Sequence, residues 1–286
     1  MSICLISYKA PAIRLEYDII FFWGLKKEAN PIRREEFYRP PLQGKKILAN
    51  HSLEKCQVLL PEIPGNYGRA DLHIHSSASD GIPHIPQILE YIELQTNLDI
   101  IAITDHDGIE GSHQAREILE KDKYRFEVVV GMEVSTQEGH LLALFLESPV
   151  PSFQPLASTL AAVHAQGGLC IAPHPMSRQR DSIQRHTIEK FLKGPGEGGV
   201  YLDGLEIINP YAASLLCSED VRTLAKSHFH LAEIGGSDAH SLSLLGNRYT
   251  IFAGRKTEDL YRAILSRTTR AAGSSLDHHP SVAGGR

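Results

Sequence analysis

Residues 71–81 read DLHIHSSASDG. With Ala70 in front, the stretch opens as a short strand, and positions i and i+2 of a strand face the same side. His73 and His75 therefore share a face and can bind one ion together. Asp80 follows five residues after His75, in a Ser/Gly-rich loop. The arrangement recurs downstream. LDIIAI (98–103) runs into Thr104-Asp105-His106-Asp107, and FEVVVGM (126–132) runs into Glu133. His140 opens the next apolar run, LCIA (169–172) leads to His174, and GLEII (204–208) leads to Asn209. LAEIGG (231–236) ends at Ser237-Asp238-Ala239-His240, a second i, i+2 pair.

Strands are expected at Ala70–His75, Leu98–Thr104, Phe126–Val134, His140–Leu146, Leu169–Pro173, Gly204–Ile208, Leu231–Ser237 and Tyr249–Ala253. Several are continuous apolar runs, as in strands buried on both faces. Helical periodicity lies between them at Ile85–Leu94, Gly111–Glu120, Phe153–Ala165, Ser218–Ser227 and Thr257–Ser266. Thr257, followed by Glu258 and Asp259, reads as an N-cap with an acidic first turn. Such alternation predicts a parallel α/β fold, a barrel or an open sheet. In both, ligands bind at the C-terminal ends of the strands, where the polar residues sit.

The rest of the chain narrows the function. Its 286 residues suit one large domain or two small ones, and 42% hydrophobic with 22% charged content is ordinary for a globular protein. A net charge of −5 argues against a broad basic surface for duplex binding. No apolar run approaches the ~18 residues of a membrane helix, and Ile19–Leu25 lacks the layout of a secretory signal. The four cysteines are scattered without a CxxC pair, as expected of reduced thiols in a cytoplasmic protein. Residues 1–66 read as an irregular extension, 67–272 as the functional domain and 273–286 as a disordered tail.

Imidazole and carboxylate without thiolate suit Zn²⁺, Mn²⁺ or Fe²⁺ better than Ca²⁺ or Cu⁺, with Mg²⁺ as an alternative. Eight or nine candidate ligands oversupply one ion; two or three divalent metal ions fit the count.

The stretches DLHIHSSASDG, IAITDHDGIEG, GMEVSTQEGHLLAL, IAPHP and GGSDAH, in this order, resemble the PHP (polymerase and histidinol phosphatase) family. The resemblance runs from Ala70 to about Ala272. It implies a distorted (β/α)₇ TIM-like barrel with a di- or trinuclear metal centre. On it, His73, His75, Glu133 and Asp238 would hold a first metal, with Glu133 bridging to a third. Asp80, His106 and His174 would hold the second, and His140 and His240, with Glu133, the third. No segment matches a polymerase, and the stretch from Leu146 to Pro173 has room for one helix only, unlike the nucleotide phosphatases of the family.

Three divalent ions carry +6 against −3 from Asp80, Glu133 and Asp238, leaving about +3 in the pocket, which favours a phosphate dianion. The expected chemistry is hydrolysis of small phosphomonoesters or nucleotides by hydroxide generated at the metals. Asp105, Asp107 and His240 are candidate proton donors, and Asp105 is alternatively a partner that orients a ligand. Arg178 and Arg180, just after His174, are candidates to grip phosphate. The expected partner is a small phosphorylated substrate, with short nucleic acid as a second class and no membrane. The alternatives are a nuclease acting on short single strands or 3′ ends, and a non-catalytic module stabilised by metals.

Overall fold

The computed structural model describes residues 66–177, 181–192, 199–208 and 218–273. Apart from Asn66 and Gly273, the expected extension and tail lie outside the described residues, as do Arg178, Arg180 and Asn209.

Nine strands form one sheet in the order β7-β6-β5-β4-β3-β2-β1-β8-β9. They are β1 (Tyr67–Ile74), β2 (Ile100–Ile103), β3 (Glu127–Thr136), β4 (Gly139–Leu144), β5 (Leu169–Ala172), β6 (Gly204–Ile208), β7 (Ala232–Gly235), β8 (Arg248–Ala253) and β9 (Arg270–Gly273). The β1-β2-β3 and β5-β6-β7 groups are parallel. The purely parallel expectation fails at β4 and at β8-β9, which pair antiparallel with their neighbours. The cause at β4 is connection length: two residues, Gln137 and Glu138, join β3 to β4, and a parallel crossover needs a dozen or more. The two ends of the sheet approach each other. Gly235 N–H donates to Thr250 Oγ1 at 3.0 Å and His75 N–H to Ala239 O at 3.0 Å. The sheet is therefore a nearly closed, distorted TIM-like barrel.

Helices cover the outside. In α1 (Ile85–Gln95) the buried residues are Ile85, Ile88, Leu89 and Ile92, one stripe at helical spacing. They pack with Ile74, Ile101 and Ile103 from the outer face of the sheet. The buried face of α2 (Glu110–Lys121) is Gly111, Ser112 and Ala115, small enough for close approach to the sheet. Next come α3 (Leu156–Ala165), a short α4 (Arg185–Ile188), and α5 (Ser218–Thr223), which continues as a π-helix over Leu224–Phe229. In α6 (Thr257–Leu265) Thr257 is the first helical residue rather than the N-cap. The Asp259 carboxylate instead reaches back to accept N–H bonds from Lys256 and Arg255. Leu260 and Ile264 of α6 join Ala70, Leu72, Ile100, Leu142, Ile171 and Ile234 in the barrel interior.

A bulge in β1 positions the site. The register with β2 runs Ala70↔Ile100, Asp71↔Ile101, then Ile74↔Ile103, so β1 carries one extra residue. An extra residue reverses the inward/outward alternation beyond it. Leu72 points into the interior, Ile74 packs outward, and His73 and His75 stand inward above Leu72.

Candidate metal centre

All nine sequence-expected ligands meet at the C-terminal end of the barrel. Glu133 is the hub. Its Oε2 lies 3.2 Å from His73 Nε2, 3.2 Å from His75 Nε2 and 3.4 Å from His106 Nδ1. Its Oε1 lies 3.0 Å from His140 Nδ1 and 3.1 Å from His174 Nε2. Asp238 Oδ1 stands 3.4 Å from His73 Nε2 and 3.2 Å from His75 Nε2. Asp80 Oδ2 faces His240 Nε2 at 3.2 Å and His106 Nε2 at 3.5 Å, while its Oδ1 is 3.5 Å from His75 Nδ1.

The grouping differs from the one the resemblance implied. Asp80 clusters with His75, His106 and His240, not with His174. His174 groups with His73 and Asp238, and also reaches the Glu133 oxygen that faces His140. His240, rather than His174, is thus the histidine beside Asp80 and His106. Order along the chain does not encode position around the rim: the loop that carries Asp80 is tied to the β7 end, where Ile82 N–H donates to His240 O at 2.9 Å.

This donor set fits divalent cations. Two carboxylate oxygens offer about four lone-pair sites, yet five imidazole nitrogens surround those of Glu133. Among the described residues, both ring nitrogens of His75 and Nδ1 of His174 are buried without a hydrogen-bond partner, although carboxylate oxygens are close to His75. Orphaned buried nitrogens beside crowded carboxylates suit a site that holds a cation. Left-handed backbone occurs here, as it does at other non-glycine positions of the described chain. His174 (φ 28°), Asp238 (φ 49°) and Asp107 (φ 54°) are left-handed, which costs on the order of 1–3 kcal/mol each for such residues.

Without cations, protons serve the cluster. Burial disfavours the imidazolium of His73, but the Asp238, Glu133 and Glu206 carboxylates outweigh it and hold its pKa well above the ordinary value. Burial likewise opposes His75, whose carboxylate partners Asp238 and Glu133 raise it to about 9. Burial acts against the Glu133 anion as well. The His73 charge and hydrogen bonds from His140, His174 and His73 prevail and keep its carboxyl well below the usual range. Asp238 is also lowered, burial again being overcome by His73 and His75.

The remaining candidates separate by geometry. Asp105 is buried, with Oδ1 accepting from Ser76 N at 2.7 Å and Ser79 Oγ at 2.7 Å, and Oδ2 from Ser76 Oγ at 2.7 Å. Its carboxylate anchors the loop that presents Asp80 rather than facing the pocket. Asp107 is exposed, and Ser135 occupies both of its oxygens. His240 is 30% exposed, with its ring stacked on His75 at 4.3 Å.

Sequence reasoning passed over Glu206 and Asp71. Glu206 Oε1 is 3.1 Å from His73 Nδ1, and Oε2 accepts from His174 N at 2.7 Å. Asp71 accepts from Ser237 N and Gly246 N, each at 3.0 Å, tying the β7–β8 connection to β1. A carboxylate inside an otherwise apolar strand was the available signal for both.

Comparison with known proteins places the fold and the family. The PHP-associated family matches residues 222–269. An uncharacterized protein of Methanocaldococcus jannaschii is 32% identical over 154 residues, covering 50% of this chain and 82% of its own. The phosphoribosyl 1,2-cyclic phosphate 1,2-diphosphodiesterase of Eggerthella lenta is 37% identical over 102 residues, 33% of this chain and 38% of that one. Among solved structures, a two-domain protein of Bacteroides vulgatus, described as containing a predicted PHP-like metal-dependent phosphoesterase, superposes with a TM-score of 0.60. It is 20% identical and covers 78% of this chain and 70% of that one, a likeness of fold.

Proposed function

This chain belongs to the PHP domain family, and from that premise we propose that it is a metal-dependent phosphoesterase, an enzyme that hydrolyses small phosphomonoesters or nucleotides. The observation that carries the reading is Glu133, with five imidazole nitrogens within 3.4 Å of its two oxygens. Residues 67–272 are the domain that does this work.

His73, His75, Glu133 and Asp238 would hold one divalent ion. Asp80, His106 and His240 would hold a second, and Glu133, His140 and His174 a third. Two or three ions of Mn, Zn or Fe suit this imidazole–carboxylate set, with Mg as the alternative. When bound, such ions lower the pKa of water from 15.7 to about 7 and neutralise phosphoryl charge.

The chain's own residues supply positioning and proton handling. Asp105 fixes the 76–80 loop and so the reach of Asp80. With two ions and the Asp80 position left to protons, His240 Nε2 is the donor to the leaving oxygen. With three, His240 is a ligand and an incoming water takes that part. Arg178 and Arg180 are proposed to grip the phosphate. The net charge of −5 disfavours long polyanions.

No helix among the described residues is long and apolar enough to cross a membrane. The four cysteines are scattered without a CxxC pair, which supports placing the enzyme in the cytoplasm.

The test is a substrate panel run with Mn²⁺, Zn²⁺ and Mg²⁺ separately, against a chelated control. It contains p-nitrophenyl phosphate, its bis-ester, mononucleotides and short oligonucleotides. Metal-dependent turnover of the monoesters is expected. Release from oligonucleotides alone would make the enzyme a nuclease, and inertness at full metal occupancy would refute the catalytic reading.

A further inference from the structure

We propose that Glu206 is a positioning residue that fixes the ring and tautomer of His73, so that its Nε2 is kept as a bare metal ligand. The inference rests on the metal-centre reading above.

Glu206 is fully buried in β6. Its Oε1 lies 3.1 Å from His73 Nδ1, while His73 Nε2, on the opposite edge of the ring, faces Glu133 and Asp238. Glu206 therefore stands behind the imidazole, away from the ion it would bind. A bulge aims it there: the β6–β7 register steps from Glu206↔Ile234 to Ile208↔Gly235, two residues against one. Gly236 permits the approach. A Cβ on Gly236 would sit 2.3 Å from Glu206 Oε1 and 2.7 Å from His73 Cβ.

The second oxygen gives the carboxylate its specificity. Glu206 Oε2 accepts the His174 backbone N–H at 2.7 Å, and a backbone N–H can only donate. A carboxylate in this position accepts at Oε1 as well, from a proton on His73 Nδ1. A neutral imidazole with its proton on Nδ1 has its lone pair on Nε2, the state a cation needs. One carboxylate thus supports ligands from two ion positions, His73 through its ring and His174 through its strained backbone. Burial lowers the pKa of Arg248, and the Glu206 and Asp71 carboxylates act against that by favouring its charge.

Glu206→Gln isolates the effect because it keeps the shape. The amide oxygen must take the His174 N–H, which turns the NH₂ toward His73. Nδ1 is then forced to accept, and the ring proton moves to Nε2. We expect Glu206→Gln to melt within a few degrees of wild type in chelator. Its ion at His73, His75, Glu133 and Asp238 should bind about 10–100-fold more weakly, the range for losing such a partner, with the other ions retained. Metal content after dialysis and competition with a chelating dye read this directly. A second variant, Gly236→Ala, crowds both the carboxylate and His73 itself and should weaken the same ion at least as much.

The proposal is overturned if wild type binds its ions and both variants bind the same number with unchanged affinity. It is overturned equally if all ions weaken together with a fall in chelated melting temperature, the sign of a purely structural role. Wild type that binds no ion would instead sink the metal-centre reading itself.

Discussion

Stripping the ions should reverse the pH dependence of stability. In the metal-free protein the carboxylates hold protons on the imidazoles. His75 rises from 6.5 to about 9 in the folded state. A histidine whose folded pKa is raised contributes stability that is fully present below its unfolded pKa and is lost as pH climbs through the folded one. For His75 the window is pH 6.5 to about 9. At 1.36 kcal/mol per unit, the contribution at stake is about 3 kcal/mol. Full burial means that solvent screening does not discount it. His73 and His174 are raised too and add in the same direction, while His106, lowered chiefly by burial, opposes them. Glu133 and Asp238 act at the other end. Their depressed values supply stability above pH 4.5 and 3.8 respectively, lost as acid protonates them. From these groups stability is greatest between about pH 4.5 and 6.5 and then declines, while Asp71, raised by burial to about 6, subtracts from it on the way up from pH 3.8.

The loaded protein should behave in the opposite way. Cations bind deprotonated imidazole and displace these protons, so apparent affinity rises with pH through the same window. Denaturant melts of the chelated and Mn²⁺-loaded protein at pH 6, 7.5 and 9.5 test both limbs. The chelated form should lose about 3 kcal/mol or more from pH 6 to 9.5, while the loaded form gains relative to it. Chelated stability that is flat or rising across that interval would show that no imidazolium–carboxylate lattice exists. The cluster geometry used here would then be wrong.

Three substitutions probe the surroundings. Glu133→Gln removes the hub charge, and phosphoester turnover should fall to the chelated background, with fewer ions retained in elemental analysis. Asp105→Ala leaves Ser76 N–H and two seryl hydroxyls without their acceptor, at about 1–3 kcal/mol for each donor that stays buried. Activity should drop about 10–100-fold, and the drop should be partly rescued by excess metal, since the Asp80 loop loosens while the other ligands stay. Burial lifts Asp71 from 3.8 to about 6, so the fold loses stability to this group as pH rises from 3.8 to about 6 and carries the full penalty above. Relative to wild type, Asp71→Asn should therefore gain up to about 3 kcal/mol between pH 4 and 8 in urea melts.

Much of this was legible in the sequence because strand ends and ligand types coincide. The eight expected strands appear within a few residues of their positions, and the i, i+2 argument correctly puts His73 and His75 on one face. The ninth strand, RAAG, escaped notice because four residues of low β-propensity at the edge of a sheet carry no periodic signal. The antiparallel pairs were encoded in the short Gln137-Glu138 link, whereas the alternation of strands and helices pointed to parallel pairing throughout. That His240 rather than His174 lies beside Asp80 had no sequence signal, because depth and angle around a barrel rim depend on loop contacts far apart in the chain.

The carboxylates of β6 and β7 show where reading a strand by pattern runs out. GLEII and AEIG each place a glutamate among apolar residues, and nothing local distinguishes them. The register pairs Glu233 with Leu205 and Glu206 with Ile234, so the two acids stand on adjacent rungs of the ladder. Side chains on adjacent rungs face opposite sides of a sheet. Glu233 accordingly meets Arg222 at 3.2 Å and Lys226 at 2.7 Å beside α5 and the π-helix, and Glu206 turns inward to His73. An outward acid with two cations is a structural pair that Lys and Arg can satisfy from helices. An inward one, deep in an apolar barrel, is tolerated only where buried donors receive it: the His174 N–H and the His73 ring. Its presence there is an independent physical argument that the imidazoles above it are held for a purpose stricter than packing. Aliphatic residues would fill the same volume without the expense of burying a charge.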